Sequence, residues 1–279
     1  MAKEILLRGE DYNSEFVCDE VAGQISSAVH EAYELICITG GMAEYWVEDQ
    51  YYRASKGDIL VIPAGVMMSA NLKQRGCPFS RYNVWLSRRF MTFLKLQDDE
   101  ADYAIARMEK AGHYLLRLPE EHFETVTGGF EALQASTLVG SLNSELSGKT
   151  LLSALMVQLN RAVQQLDEKV MVTGSGNRLA AVLTHIHKEC TTTLSVENLA
   201  EQHGYSPSHL AHSFKKQLGT SLYHYVLLRR LQIGREAMLE GVPVKEAYQR
   251  CGFGDYAGFY RSFTKEFGMS PQQYKKRNQ

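Results

Sequence analysis

Phe214-Lys-Lys-Gln-Leu-Gly219-Thr-Ser221-Leu-Tyr-His-Tyr225 and Phe263-Thr-Lys-Glu-Phe-Gly268-Met-Ser270-Pro-Gln-Gln-Tyr274 repeat Phe, Lys, Gly, Ser and Tyr at the same offsets, 49 residues apart. The match extends upstream with a one-residue slip. Val196, Leu199, Ala200, Gly204, Tyr205 and Leu210 correspond to Val244, Ala247, Tyr248, Gly252, Phe253 and Phe259. Each copy reads as a short amphipathic helix that ends at a glycine, which supplies the left-handed residue of a tight turn. A second helix follows. Ser206 before Pro207 suits the N-cap and first helical positions, and Asp255 caps the second copy. The i, i+4 pairs Leu210/Phe214 and Phe259/Phe263 face inward, and Gly219 or Gly268 closes the helix. Helix, glycine turn, helix is the helix-turn-helix pattern, predicted at about 195–219 and 243–268. The helix predicted between them, 221–240, spans ~30 Å at ~1.5 Å per residue. One turn of B-DNA is ~34 Å.

Charge is distributed to match. From Asn177 onward there are 14 Lys+Arg against 8 Asp+Glu, whereas the first 176 residues carry 16 against 24, for a net −2 over 279 residues. A basic third on an acidic body is the pattern expected when one part meets a polyanion.

Upstream, residues from about 15 to 90 read as β. Leu35–Ile38, Ala43–Glu48, Tyr51–Tyr52, Ile59–Ile62 and Tyr82–Leu86 are short apolar runs punctuated by Gly40-Gly41, Asp49-Gln50, Lys56-Gly57-Asp58 and Pro63-Ala64-Gly65. Strands at such spacing predict a sandwich or barrel. Helices are expected at 98–110, 119–135 and 150–168. In the last, Leu151, Leu152, Leu155, Met156, Leu159, Val163 and Leu166 fall at helical spacing. Thr173-Gly-Ser-Gly176 reads as a linker, so domains are expected at 1–172 and 173–279. The five cysteines form no CxxC pair, Met1–Arg8 lacks an apolar signal core, and no apolar run has transmembrane length. A cytoplasmic protein is expected.

The last hundred residues resemble the DNA-binding domain of the AraC/XylS family of bacterial transcription regulators. Ala200, Gly204, Leu210, Phe214, Gly219, Ser221 and Tyr225 carry the likeness in the first copy. Gly252-Phe253, Phe259, Arg261, Phe263, Lys265, Gly268, Ser270-Pro271 and Tyr274 carry it in the second. Tyr248 departs from it, standing where a small residue is usual. The resemblance implies that both second helices enter the major groove. Ser208, Ala211 and His212 would face bases from the first helix, and Tyr256, Ala257, Tyr260 and Arg261 from the second. Arg261 suits guanine O6 and N7. Ser206, Lys215, Lys216 and Lys265 are assigned to phosphates, which set affinity and salt dependence rather than sequence choice.

Gly57-Asp58-Ile-Leu-Val-Ile-Pro63-Ala-Gly65 resembles the second conserved motif of cupin barrels, and His30-x-x-x-Glu34 followed by Gly41 resembles part of the first. Ala28 and Met68 stand where metal-binding histidines would be, so no metal and no cofactor is expected. The combined expectation is an α+β two-domain chain: a cupin-like β-barrel followed by helices, then an all-α domain with two helix-turn-helix motifs. The barrel would hold a small-molecule effector, on family grounds a sugar, with His30, Glu34, Trp46, Asn83 and Trp85 as candidate contacts. Helix 150–168 either packs on the barrel or, as the resemblance implies, forms the homodimer interface. The expected partners are double-stranded DNA, the effector and, for an activator, RNA polymerase. The function expected is ligand-responsive transcriptional regulation, not enzymatic catalysis. A cupin-type enzyme and an architectural DNA binder without effector are the competing readings.

Overall fold

The computed structural model describes residues 11–72, 78–138, 144–174 and 178–277. The readings placed on Met1–Arg8, on Cys77 and on the Ser175-Gly176 half of the linker lie outside them. The chain divides into two compact units, one of residues 1–25 and 30–175 and the other of residues 26–29 and 176–279.

The first unit is built on β1 (Tyr12–Asp19), β2 (Gly23–Val29), β3 (Tyr33–Gly40), β4 (Met42–Val47), β5 (Gln50–Ser55), β6 (Asp58–Ile62), β7 (Met67–Leu72) and β8 (Phe79–Leu86). Two short strands from the helical stretch, β9 (Leu115–Arg117) and β10 (Met171–Val172), extend one sheet. Its order is β1-β8-β3-β6-β9-β10, and β2-β7-β4-β5 form the other.

Alternation along the strands explains the apolar runs. In β3 and β6, Ile36, Ile38, Leu60 and Ile62 turn toward the opposite sheet, where they pack with Ala43, Tyr45, Val47 and Tyr52. Leu35, Cys37, Ile59 and Val61 turn the other way and pack under helices. A sheet covered on both faces needs apolar residues at successive positions. The turns are held by specific contacts. Asp58 is fully buried and accepts from Arg117 Nε and Nη2 at 2.7 and 2.8 Å. At Gly41 φ is +72°, and a Cβ would lie 2.7 Å from the Pro78 carbonyl oxygen, so no side chain fits there.

The covering helices are α1 (Arg88–Gln97), α2 (Tyr103–Ala111), α3 (Glu120–Leu138) and α4 (Ser144–Leu166). The helix expected at 98–110 is therefore shifted. Residues 98–102 form turns, and α1 precedes them, capped by Ser87 accepting from Phe90 N. The α2 N-terminus is set from α4: Asn160 Oδ1 accepts from Ala104 N at 2.9 Å and its Nδ2 donates to the Glu100 and Ala101 carbonyls. The stripe on α4 is core. Leu152, Leu155, Met156, Leu159 and Val163 are buried with α3 and the sheet, because a helix laid on a sheet spends its apolar face there. Leu146 and Val157 remain exposed on α4.

From residue 178 to 277 the regular elements are all helices: α5 (Arg178–Glu189), α6 (Val196–Gln202), α7 (Pro207–Leu218), α8 (Leu222–Leu239), α9 (Val244–Arg250), α10 (Tyr256–Phe267) and α11 (Pro271–Arg277). The sequence repeat is a packing repeat. Phe214 meets Tyr225 edge to face at 5.3 Å and 81°, and Phe263 meets Tyr274 at 5.5 Å and 76°. Such pairs contribute about 0.5–1.5 kcal/mol beyond burial. Helix α8 joins the copies. Tyr225 packs on the first, while Leu231, Ala237 and Met238 pack on the second with Phe259 and Phe263. Arg230 donates to the Cys190 and Thr192 carbonyls, fixing α8 to the start of the first copy. Tyr248 is accommodated by another aromatic: its ring stands edge-on to Tyr256 at 5.8 Å.

Candidate functional site

The two second helices, α7 and α10, have matched ends. Ser206 Oγ accepts from His209 N, and Asp255 Oδ1 accepts from Gly258 N at 2.7 Å. Both helices stop at a left-handed glycine, Gly219 (φ +72°) and Gly268 (φ +67°). Leu210, Phe214 and Leu218 anchor α7, and Phe259, Phe263 and Phe267 anchor α10. With that face buried, the rest of each helix is presented outward.

On α7, Ser208, Ala211, His212, Lys215 and Lys216 are exposed, as is Ser206 at the cap. His209, one turn before His212, is also exposed; its i, i+3 spacing from His212 was the signal for it. On α10, Ala257, Tyr260, Arg261 and Lys265 are exposed. Arg261 makes no hydrogen bond or ion pair among the described residues, so its whole guanidinium edge is available for bidentate contact. Tyr256 is placed differently. It is half-buried, and its hydroxyl accepts from Gln272 Nε2 at 2.6 Å. It supports the helix start and has its polar tip engaged.

The central helix α8 has 18 residues, a length of ~27 Å. Tyr225, near its start, packs on Phe214 of α7, and Leu231, Ala237 and Met238 pack with Phe259 and Phe263 of α10.

The candidate effector residues divide. In the register, Glu34 of β3 lies opposite Trp85 of β8, and Ile36 lies opposite Asn83. Glu34, Asn83 and Trp85 therefore share the face of Ile36, which is the interior between the two sheets. All three are buried. His30 joins them: its Nδ1 is 2.9 Å from Glu34 Oε2, although the two are not aligned as a hydrogen bond. Trp46 does not. It alternates with Tyr45 and Val47, so it projects from the other face of its sheet, where its ring lies 5.1 Å from Tyr51. Met68, at the position of a metal-binding histidine in the resemblance, packs in the apolar interior.

Interior polar groups that the sequence reading missed are Glu15, Asp19, Arg81 and Tyr45. Arg81 bonds Asp19 and lies 5.1 Å over the Phe79 ring. Asn83 Nδ2 donates to Glu15 Oε1 at 3.2 Å. Burial raises the Tyr45 phenol pKa above its ordinary value, and the carboxylates of Glu34 and Asp19 add to the rise against the opposing pull of Arg81. The alternation Arg81-x-Asn83-x-Trp85 was a legible sign of a polar interior face. Burial pushes the thiols of Cys37 and Cys251 up to about 12, away from the thiolate form.

A family model described as a helix-turn-helix domain matches residues 199–277, and one described as an AraC-like ligand binding domain matches residues 24–142. The chain is 24% identical to the probable transcriptional regulator LumQ of Photobacterium leiognathi, over 88% of this chain and 90% of LumQ. It is 30% identical to the multiple antibiotic resistance protein MarA of Escherichia coli, over 35% of this chain and 78% of MarA. Among solved structures, apo ToxT of Vibrio cholerae aligns over 96% of this chain and 98% of its own, at 10% identity and a TM-score of 0.40.

Proposed function

The chain belongs to the AraC family of transcriptional regulators, and from that premise we propose that it is a ligand-responsive, sequence-specific DNA-binding protein that reads two successive major-groove segments with α7 and α10. Its AraC-like ligand binding domain and its helix-turn-helix domain are those of a regulator, not of an enzyme. The observation that carries the reading is the duplicated, capped helix whose buried side is aromatic and aliphatic and whose outer side is Ala, His, Arg and Lys. Small residues such as Ala211 and Ala257 permit close approach to the groove floor. His212 and Arg261 supply donors, and Ser206, Lys215, Lys216 and Lys265 supply phosphate contacts.

Residues 1–172 form the effector domain in this reading, and 173–279 the DNA-binding domain. The effector occupies the interior beside His30, Glu34, Asn83 and Trp85, with carbohydrate as the first class to test and sugar-utilisation genes as the corresponding targets. A homodimer meets through the outward side of α4, where Val157 is exposed, and binds paired sites. An activator of this kind also contacts RNA polymerase. The protein acts in the cytoplasm, where its DNA is. Among the described residues no helix is long and apolar enough to cross a membrane.

The test is selection of binding sites from random duplexes by the full chain, repeated with His212→Ala and Arg261→Ala. The expected result is a site of two segments about one turn apart, with each variant relaxing a different segment. A single segment, or two variants that relax the same bases, refutes the two-helix reading.

A further inference from the structure

The interior of the first unit has an unbalanced set of polar groups. On the inner face of β1, β8 and β3 stand three carboxylates, Glu15, Asp19 and Glu34, and one guanidinium, Arg81. Arg81 is committed to Asp19. Asn83 is committed on one side only. A carboxylate accepts and never donates, so the group facing Glu15 Oε1 is the Asn83 NH2, and Oδ1 points the other way. That oxygen is buried with no hydrogen-bond partner, in a residue 4% exposed. Glu34, also 4% exposed, has Oε2 equally without an aligned donor. His30 Nδ1 stands 2.9 Å from that oxygen but is not oriented to donate to it. Glu34 and Asn83 are diagonal neighbours on adjacent strands, since Glu34 lies opposite Trp85, two positions from Asn83. Diagonal pairs are ~7–8 Å apart, close enough for one ligand group to reach both.

Asn83 Oδ1 is a buried acceptor without a partner, and Glu34 Oε2 has only the His30 imidazole beside it, 2.9 Å away and not aligned to donate; burying acceptors this way is costly, and what satisfies both is a donor. A carboxylate or phosphate ligand is disfavoured there, because the one guanidinium among these groups is already paired and Glu34 would repel it. A neutral hydroxyl also makes a charge-assisted bond to a carboxylate, but only a cation in addition offsets the buried negative charge, and buried charges are found paired. Trp85, directly opposite Glu34, adds an aromatic side chain of the kind that attracts organic cations.

We infer that the barrel interior takes an organic cation, a small molecule bearing a protonated amine, with Glu34 as its counter-charge and Asn83 Oδ1 as its second acceptor. This rests on the effector reading above and narrows it: among sugars it selects amino sugars over neutral or acidic ones.

The test uses the full chain and two matched series, each varying charge on one scaffold. Glucosamine, glucose and glucuronate form one; butylamine, butanol and butyrate form the other. Thermal shift and calorimetry measure binding, since a ligand that binds the folded state raises its stability. The amine is expected to bind tightest in at least one series. Glu34→Gln and Asn83→Leu are each expected to weaken that binding at least tenfold, with circular dichroism confirming that the variants fold. Neutral or acidic members binding as well as the amine, or amine affinity surviving both substitutions, overturns the cation assignment while leaving the effector reading intact. Binding by no compound of any charge overturns both.

Discussion

Replacing Arg261 by alanine separates base reading from phosphate binding. The side chain is exposed on α10 and has no intramolecular partner among the described residues, so its loss costs folding stability under about 0.5 kcal/mol. A bidentate arginine–guanine contact discriminates by about 1–3 kcal/mol, which is ~5- to ~150-fold in affinity for the selected site. A phosphate contact behaves otherwise. Losing one lowers the slope of log K against log salt by ~0.9, which between 50 and 200 mM salt is only ~3.5-fold. Mobility-shift titrations of Arg261→Ala and Lys265→Ala, on the selected duplex and on duplexes altered at single base pairs, distinguish the two. Arg261→Ala is expected to bind all four bases equally at one position with its salt slope nearly unchanged. Lys265→Ala is expected to weaken every duplex alike and reduce the slope by about one. Arg261→Ala with an intact base preference and a lower slope refutes the base-contact assignment.

The turn glycines give a second, structural contrast. At Gly204 (φ +69°) nothing lies within 4 Å of where a Cβ would stand, so Gly204→Ala should cost only the left-handed penalty, about 1–2 kcal/mol. At Gly252 (φ +81°) a Cβ would run into the Thr191 carbonyl oxygen, so Gly252→Ala should cost about 1–3 kcal/mol more in urea denaturation; equal losses would argue against the Thr191 approach. Asp255→Ala removes a 2.7 Å cap bond at α10, and about 1–2 kcal/mol of stability is expected to go with it. Ser206→Ala loses a longer bond of 3.3 Å and is expected to cost less; the reverse order would contradict the cap geometry. The His203 ring, 3.2 Å from His185, has its pKa lowered by desolvation and then by that second imidazole. A group depressed in the folded state binds more protons when unfolded. Its contribution is therefore full above the unfolded value near 6.5 and is lost as pH falls through the folded value. His203→Gln should flatten that acid limb of the second unit's melting profile, and an unchanged limb would remove His203 from it.

Much of this was legible in the chain. The duplicated Phe–Gly–Ser–Tyr spacing foretold two capped helices because caps, left-handed glycines and i, i+4 apolar pairs are local devices, readable within a dozen residues. The outward sides of α7 and α10 followed from the same periodicity. Reading failed where partners were remote. Tyr256 was taken for a base reader, and only its neighbours Tyr248 and Gln272 show its ring packed and its hydroxyl engaged. The apolar stripe of α4 left packing on the strands and a dimer face both open, because periodicity reports a buried side without saying what buries it; the sheet and α3 cover that stripe.

The strands make the same division. Alternation and turn residues determined that residues near 15–90 would be β, since a pleated strand shows its period in its own sequence. Register lies between strands and shows in neither alone. It was the pairing of β3 with β8 that set Glu34, Asn83 and Trp85 on one inner face, and the alternation of β4 that turned Trp46 off it. Likewise Asn160, 56 residues away, decided where α2 begins. Local backbone chemistry belongs to the sequence, whereas the identity of a side chain's neighbours is a long-range property that only the folded chain, bringing distant segments into contact, could decide.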